Sequence, residues 1–137
     1  MSVQPQPIGL SSEDRDALQA YIDEWIDQCL ARDWDALVER LTDDVVFLPP
    51  DEPAVIGKAA AADFFEAFPV MTQFSAPILH VDGRADFAGI RGSFDMTVET
   101  EEGEARMVGK WLCTYRKEGG RWRCATDCWN LDAPAQG

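Results

Sequence analysis

Between Leu18 and Leu30 the apolar residues return every three or four positions: Leu18, Tyr21, Ile22, Trp25, Ile26, Cys29 and Leu30. That spacing gathers one apolar stripe and predicts an amphipathic helix ending near residue 31. Ser11-Ser-Glu-Asp14 has the hydroxyl-x-x-acid pattern of a capping box and marks its start. Asp33 caps a second, shorter helix that carries Trp34, Leu37, Val38 and Leu41. Val45-Val-Phe-Leu48 predicts a short strand, closed by the stiff segment Pro49-Pro-Asp-Glu-Pro53. That segment reads either as a lid over a pocket mouth or as a rigid connection to the next helix. A third helix follows Gly57, runs through Ala59–Ala62, Phe64, Phe65 and Phe68, and is stopped by Pro69.

Beyond Pro69 the pattern changes to period two. It predicts strands near 73–82, 85–100, 105–117 and 121–131, with turn signals at Asp82-Gly83, Glu102-Gly103 and Glu118-Gly-Gly-Arg121. Three helices followed by a four-stranded antiparallel meander is an α+β layout, with helices packed on one side of a curved sheet. There is no internal repeat and no linker. The expected organisation is a single domain over 11–132, with tails at 1–10 and 133–137.

Composition narrows the function classes. A chain of 137 residues, 46% hydrophobic and 27% charged, supports one core. Its formal net charge of −13 repels a duplex or an anionic membrane, so neither nucleic acid nor membrane is an expected partner. No stretch approaches the ~18–20 consecutive apolar residues of a membrane span. Met1-Ser-Val-Gln-Pro-Gln-Pro7 has neither a basic region nor an apolar run, so no secretion signal is expected and the location reads as cytoplasmic.

The cysteines, Cys29, Cys113, Cys124 and Cys128, have no CxxC spacing. Simple alternation puts Cys124 and Cys128 on one strand face about 13 Å apart, too far for a disulfide or a shared metal. Reduced thiols are therefore expected. The single histidine, His80, shares a strand with Ile78 and Asp82 and reads as a structural residue. With no glycine-rich phosphate loop, no metal-ligand spacing and no Ser-His-Asp set, no cofactor and no metal are expected.

Two stretches carry a family resemblance. Ala31-Arg-Asp-Trp-Asp-Ala-Leu-Val-Glu-Arg-Leu-Thr-Asp-Asp-Val-Val-Phe47, with Gly57-Lys58 opening the next helix, resembles the first half of the SnoaL-like, ketosteroid-isomerase-like families. Gly109-Lys-Trp-Leu112, then Arg116-Lys-Glu-Gly-Gly-Arg-Trp122 and Asp127-Cys-Trp-Asn130, is similar to their closing hairpin. These families belong to the nuclear-transport-factor-2-like superfamily. The resemblance spans residues 11–132 and implies a cone: a bent antiparallel sheet wrapped around three helices, with a pocket at the wide end. Many relatives are dimers through the outer sheet face. The superfamily includes isomerases, dehydratases, cyclases, epoxide hydrolases and pure binders, so the fold does not name the chemistry.

On the last strand Asp127 and Trp129 share a face by period two. Counting from Gly119-Gly120 puts Lys110 opposite Trp129, Leu112 opposite Asp127 and Thr114 opposite Ala125. The other face holds Trp111, Cys113, Tyr115, Cys124, Thr126 and Cys128. Apolar content favours this second face as the interior. The resemblance favours the first, because Trp129 then falls on a pocket tryptophan of the steroid isomerases. On that reading Lys110, Leu112, Asp127 and Trp129 line the pocket with Trp25, while Trp111, Cys113 and Tyr115 form an outer surface suited to a homodimer. A one-residue bulge reverses these assignments. Extended to the preceding strand, the resemblance turns Arg91, Ser93, Asp95 and Thr97 toward the pocket and Ile90, Phe94, Met96 and Val98 away.

The resemblance also places Pro49, Trp25 and Leu112 where the steroid isomerases hold a base, a tyrosine and a second acid. None of the three transfers protons, so steroid isomerisation by that route is not expected. Asp127 is the candidate acid or base, as cyclase-like relatives use a single aspartate on a late strand. Arg91, Asp95 and Asp127 resemble the Asp–Arg–Asp cluster of epoxide-hydrolase relatives, though the Arg91–Asp95 spacing differs. Arg91 or Lys110 would steady oxyanion charge. The alternative is a structural diagonal pair of Asp127 with Lys110. Three functions stay open: a cofactor-independent isomerase, cyclase, dehydratase or hydrolase acting on a small apolar organic molecule, a non-catalytic binder of such a molecule, and a dimeric accessory module.

Overall fold

Ser11 does cap the first helix: its side chain accepts the Asp14 amide at 3.0 Å. In the computed structural model, which describes residues 9–137, this helix is α1 (Ser12–Ala31), ending at Arg32 in a left-handed conformation. Asp33 accepts the Ala36 amide at 3.3 Å and starts α2 (Trp34–Glu39). The chain continues as β1 (Leu41–Leu48), β2 (Val55–Ile56) and α3 (Lys58–Ala67). Then come β3 (Met71–Ser75), β4 (Ile78–Arg84), β5 (Phe87–Thr100), β6 (Gly103–Glu118) and β7 (Arg121–Leu131).

The strands form one seven-stranded sheet in the order β2-β1-β7-β6-β5-β3, with β4 also paired to β5. All pairings are antiparallel except β1 with β7. The meander is therefore extended by β1 and β2, whose parallel seam with β7 brings the N-terminal half onto the sheet. The expected strand over 73–82 is two strands, because Pro77 cannot donate to a ladder. Its carbonyl still accepts the Ser93 amide at 3.2 Å, so β3 and β4 lie end to end along β5. The turn expected at Asp82-Gly83 falls instead at Ala85-Asp86, between the paired residues Arg84 and Phe87; Ala85 takes the positive φ of 52°.

The long strands bend round the helices and leave a core of Leu18, Tyr21, Ile22, Leu37, Phe47 and Ile90, among others. Tyr21 pins α1 to the sheet. Its hydroxyl donates to the Arg40 carbonyl at 2.6 Å and accepts the Cys124 amide at 3.3 Å. Leu10 is buried in this core, so packing begins within the expected tail 1–10; residues 1–8 of that tail lie outside the described residues. The expected tail 133–137 docks as well. Gln136 exchanges backbone hydrogen bonds of 2.6 and 2.9 Å with Arg106. No helix of the described residues is long and apolar enough to cross a membrane.

Candidate functional site

The register of the last hairpin decides what faces the interior. Pairing runs from Glu118↔Arg121 to Tyr115↔Cys124 as counting from the turn predicts, then slips: Thr114 faces Thr126 and Cys113 faces Asp127. Ala125 is the extra residue. This bulge turns Asp127 and Trp129 to the same side as Trp111, Cys113, Tyr115 and Cys124, and all six line one cavity. Leu112, paired with Cys128, points outward and is 54% exposed. Lys110 also lies outside, bound to Asp132 at 2.6 Å, so the diagonal pair with Asp127 does not form. Cys124 and Cys128 end on opposite faces rather than one.

The expectation for β5 is corrected in the same sense. Ile90, Phe94, Met96 and Val98 are buried, while Arg91 is exposed and Asp95 and Thr97 are half-buried on the other face. The apolar row pays no desolvation penalty inside and the polar row keeps its water, which fixes the face. Asp95 pairs outside with Arg106 (3.0 Å), which holds its carboxyl below the ordinary carboxylate range. An Arg91–Asp95–Asp127 cluster is thus absent among the described residues. Trp111, Cys113 and Tyr115, expected on an outer dimer surface, are 8%, 4% and 2% exposed and belong to the interior.

The cavity has an inner chamber of about 100 Å³. Its walls are aromatic and aliphatic: Trp25 and Ile22 from α1, Phe64 and Phe65 from α3, Phe47 from β1, and Trp111 and Trp129 from the hairpin. The rings lock edge to face, as in Phe47–Trp129 at 6.3 Å and Phe64–Trp129 at 5.8 Å between centroids. An outer vestibule of about 370 Å³ adjoins it, sharing Phe64, Phe68, Phe94, Met96 and Trp129. Pro49, Pro50, Asp51 and Glu52 line this vestibule, so the proline segment flanks the mouth. An apolar cavity of about 150 Å³ holds benzene. The inner chamber therefore suits a group of ring size or less, with the vestibule taking the rest of a ligand.

Among the described residues, Asp127 is the one charged residue lining the inner chamber. Burial pushes its carboxyl up from 3.8 to about 6, against the pull of a hydrogen bond from the Cys113 thiol at 3.2 Å. Around it, burial raises the Cys113 thiol and the Tyr115 hydroxyl well above their ordinary values. The hydrogen bond with Cys113 pulls the Cys124 thiol down, yet burial and the Asp127 charge leave it raised. Cys29 is raised by burial and by Asp127. Asp127 is thus the group of this set that changes protonation near neutral pH.

The donor atoms of Cys113, Cys124 and Asp127 lie within 4.8 Å of one another, a grouping that the hairpin creates and that linear spacing hides. Two thiols and a carboxylate are ligand types for a zinc-like ion. Here an ion would have to displace protons from two deeply buried thiols whose charged forms the apolar walls disfavour.

Of the residues singled out from sequence, Asp127, Trp129 and Trp25 meet at the cavity, whereas Lys110, Leu112, Arg91, Asp95 and Thr97 lie outside it. The missed wall residues Trp111, Cys113 and Tyr115 had one signal, the apolar content of their face.

The SnoaL-like domain signature matches residues 13–125, and the chain belongs to the SnoaL-like family. Solved structures agree. A ketosteroid isomerase-like protein from Erwinia carotovora atroseptica superposes with a TM-score of 0.80 at 23% identity, covering 90% of this chain and 100% of that one. A conserved protein from Planctomyces limnophilus gives 0.76 at 21%, covering 88% and 99%. An NTF2-like protein with a cystatin-like fold from Novosphingobium aromaticivorans gives 0.71 at 17%, covering 89% and 84%. These identities establish the nuclear-transport-factor-2-like fold alone. A sequence comparison with curated proteins gives no match.

Proposed function

We propose that this chain binds a small, largely apolar organic molecule in the cavity and moves a proton to or from it through Asp127, without a cofactor. The observation that carries the reading is the Asp127 carboxyl, the one charged group among the described residues lining an otherwise apolar chamber, where burial pushes it up to about 6. Such a group is half-ionised near pH 6 and keeps a protonated fraction at neutral pH, so it is able to act as either base or acid. Isomerisation, dehydration and cyclisation all need such a transfer. Among the described residues no basic side chain lines the chamber to steady an oxyanion, so Arg91 and Lys110 have no part in this reading.

The test is Asp127→Asn. A panel of small apolar carbonyl compounds would be screened for binding by thermal shift, and deuterium exchange at the acidic C–H of each hit followed by NMR. The variant should keep affinity within a few-fold and lose exchange at least about 100-fold. Equal exchange in both proteins sinks the proton-transfer role and leaves a binder.

A homodimer through the outer sheet face belongs to the same reading, with Leu112 (54% exposed), Phe87 (48%) and Val108 (38%) as its apolar contacts. A cytoplasmic location is part of it too, supported by four free cysteines, three of them buried.

A further inference from the structure

Among the described residues, the charged side chains that line the cavity are of one sign. Asp127 is the charged one of the inner chamber, and those of the vestibule are Asp51 and Glu52, both acidic. Basic side chains of the elements that carry the walls are engaged elsewhere: Arg32 with the Phe68 carbonyl and the Trp34 ring, Arg40 with Glu24 and Gln28, Lys110 with Asp132, Arg106 with Asp95, Arg116 with Asp44, and Lys117 with Asp14. Among the described residues no cation acts on Asp127: burial and the Cys113 thiol are the influences on its carboxyl. Its neighbours are Cys113 and Tyr115 from β6, Cys124 from β7 and Cys29 from α1, all neutral.

A carboxylate in such a place is costly unless it is protonated or meets a cation. The lining favours the second partner. Ring faces attract cations, and this chamber is walled by Trp25, Phe47, Phe64, Phe65, Trp111 and Trp129. An anionic group would meet repulsion at the mouth and again at the floor. The net charge of −13 adds a field that gathers cations and excludes anions.

We infer that the ligand carries a basic nitrogen at its polar end, seated against Asp127, with an aromatic or alkyl body running toward the vestibule. The ligand class is a small amphiphilic amine. This deepens the reading above, on which it rests: the nitrogen enters as the ammonium it already is in water and meets the Asp127 carboxylate, and any proton still held on that carboxyl is released to solvent on binding. A neutral ligand would offer Asp127 a hydrogen bond only, and an anionic ligand nothing.

Three probes matched in shape separate these cases: 2-phenylethylamine, 2-phenylethanol and phenylacetate. Their binding would be measured by calorimetry and by the fluorescence of the cavity tryptophans between pH 5 and 8. The amine should bind at least about tenfold more tightly than the alcohol at pH 8, and phenylacetate not at all. Amine affinity should rise as pH passes through about 6, where Asp127 ionises; the thiols and phenols facing it stay neutral throughout this range. Asp127→Asn should remove the amine preference and leave the alcohol within threefold.

If the alcohol binds as well as the amine, or phenylacetate binds best, the amine assignment is overturned while the apolar-ligand reading stands. If no probe binds, both fall. The comparison among probes is made on the wild-type protein, so it decides the matter even where the variant does not fold.

Discussion

Asp127 is ionised at the expense of the fold. Its carboxyl titrates near 6 in the folded chain against 3.8 when solvated. Between those values the folded state holds more protons than the unfolded state, so stability is greatest below about pH 4 and falls as pH rises through 6. The rise from 3.8 to about 6 corresponds to a loss of about 3 kcal/mol, at about 1.4 kcal/mol for each tenfold change in the proton equilibrium. Asp127→Asn is isosteric and has no charge to desolvate. The variant should match the wild type near pH 4 and exceed it by about 2–3 kcal/mol at pH 8, read from urea unfolding at the two values. Equal slopes of stability against pH in the two proteins would show that water or a counter-ion already satisfies the carboxylate. Such a gain is the trade expected if Asp127 serves the proposed proton transfer, because functional groups commonly cost the fold stability.

Among the elements, the cavity depends on close approaches that single residues permit. Gly92 on β5 pairs with Trp111, and a Cβ there would stand 2.6 Å from the Trp111 ring and collide with the Pro77 carbonyl. The ring is held by its own hydrogen bond, Nε1 donating to the Ser93 carbonyl at 2.9 Å, so it cannot swing clear. Gly92→Ala is expected to cost about 2–3 kcal/mol by overpacking, visible as a lower urea midpoint with an unchanged slope. Neutral behaviour would mean that β4 shifts away from β5 freely. Local signals announced most of these elements. Caps at Ser11 and Asp33, the Pro69 stop and the Gly119-Gly120 turn all act within a few residues, and each lies where the sequence puts it. The site was harder to read, because Ala125 has no distinctive bulge chemistry and the slip it causes reverses every face beyond it. Asp127 and Trp129 share a face by period two because they lie together beyond the slip; Leu112 lies opposite the stretch it reverses, so counting from the turn puts Leu112 and Lys110 on the wrong side. On β5 the family resemblance carries the same reversal, whereas the bare count of apolar residues points the right way.

At the scale of the whole molecule, the two sheet faces have separate duties, and mutations on them should separate cleanly. Trp111 is 8% exposed and walls the cavity, whereas Leu112, the next residue, is 54% exposed on the outer face. Trp111→Glu would bury a charge among aromatic rings and remove a large apolar side chain; a loss of about 4 kcal/mol or more is expected, enough to unfold a domain of ordinary stability. Leu112→Glu adds charge to a wet surface and should leave stability within about 0.5 kcal/mol. Should the outer face mediate a homodimer, Leu112→Glu places like charges near the contact on both copies of a protein already at −13, and repulsion adds to the lost apolar contact. Sedimentation of the wild type and of Leu112→Glu at matched concentration decides it: dimer and monomer respectively, with amine binding in the cavity unchanged. A wild-type monomer, or a variant dimer of undiminished affinity, would remove the outer face from the protein's assembly. The salt dependence gives an independent reading of the same contact, because screening relieves the repulsion and should restore part of the variant's association at high ionic strength.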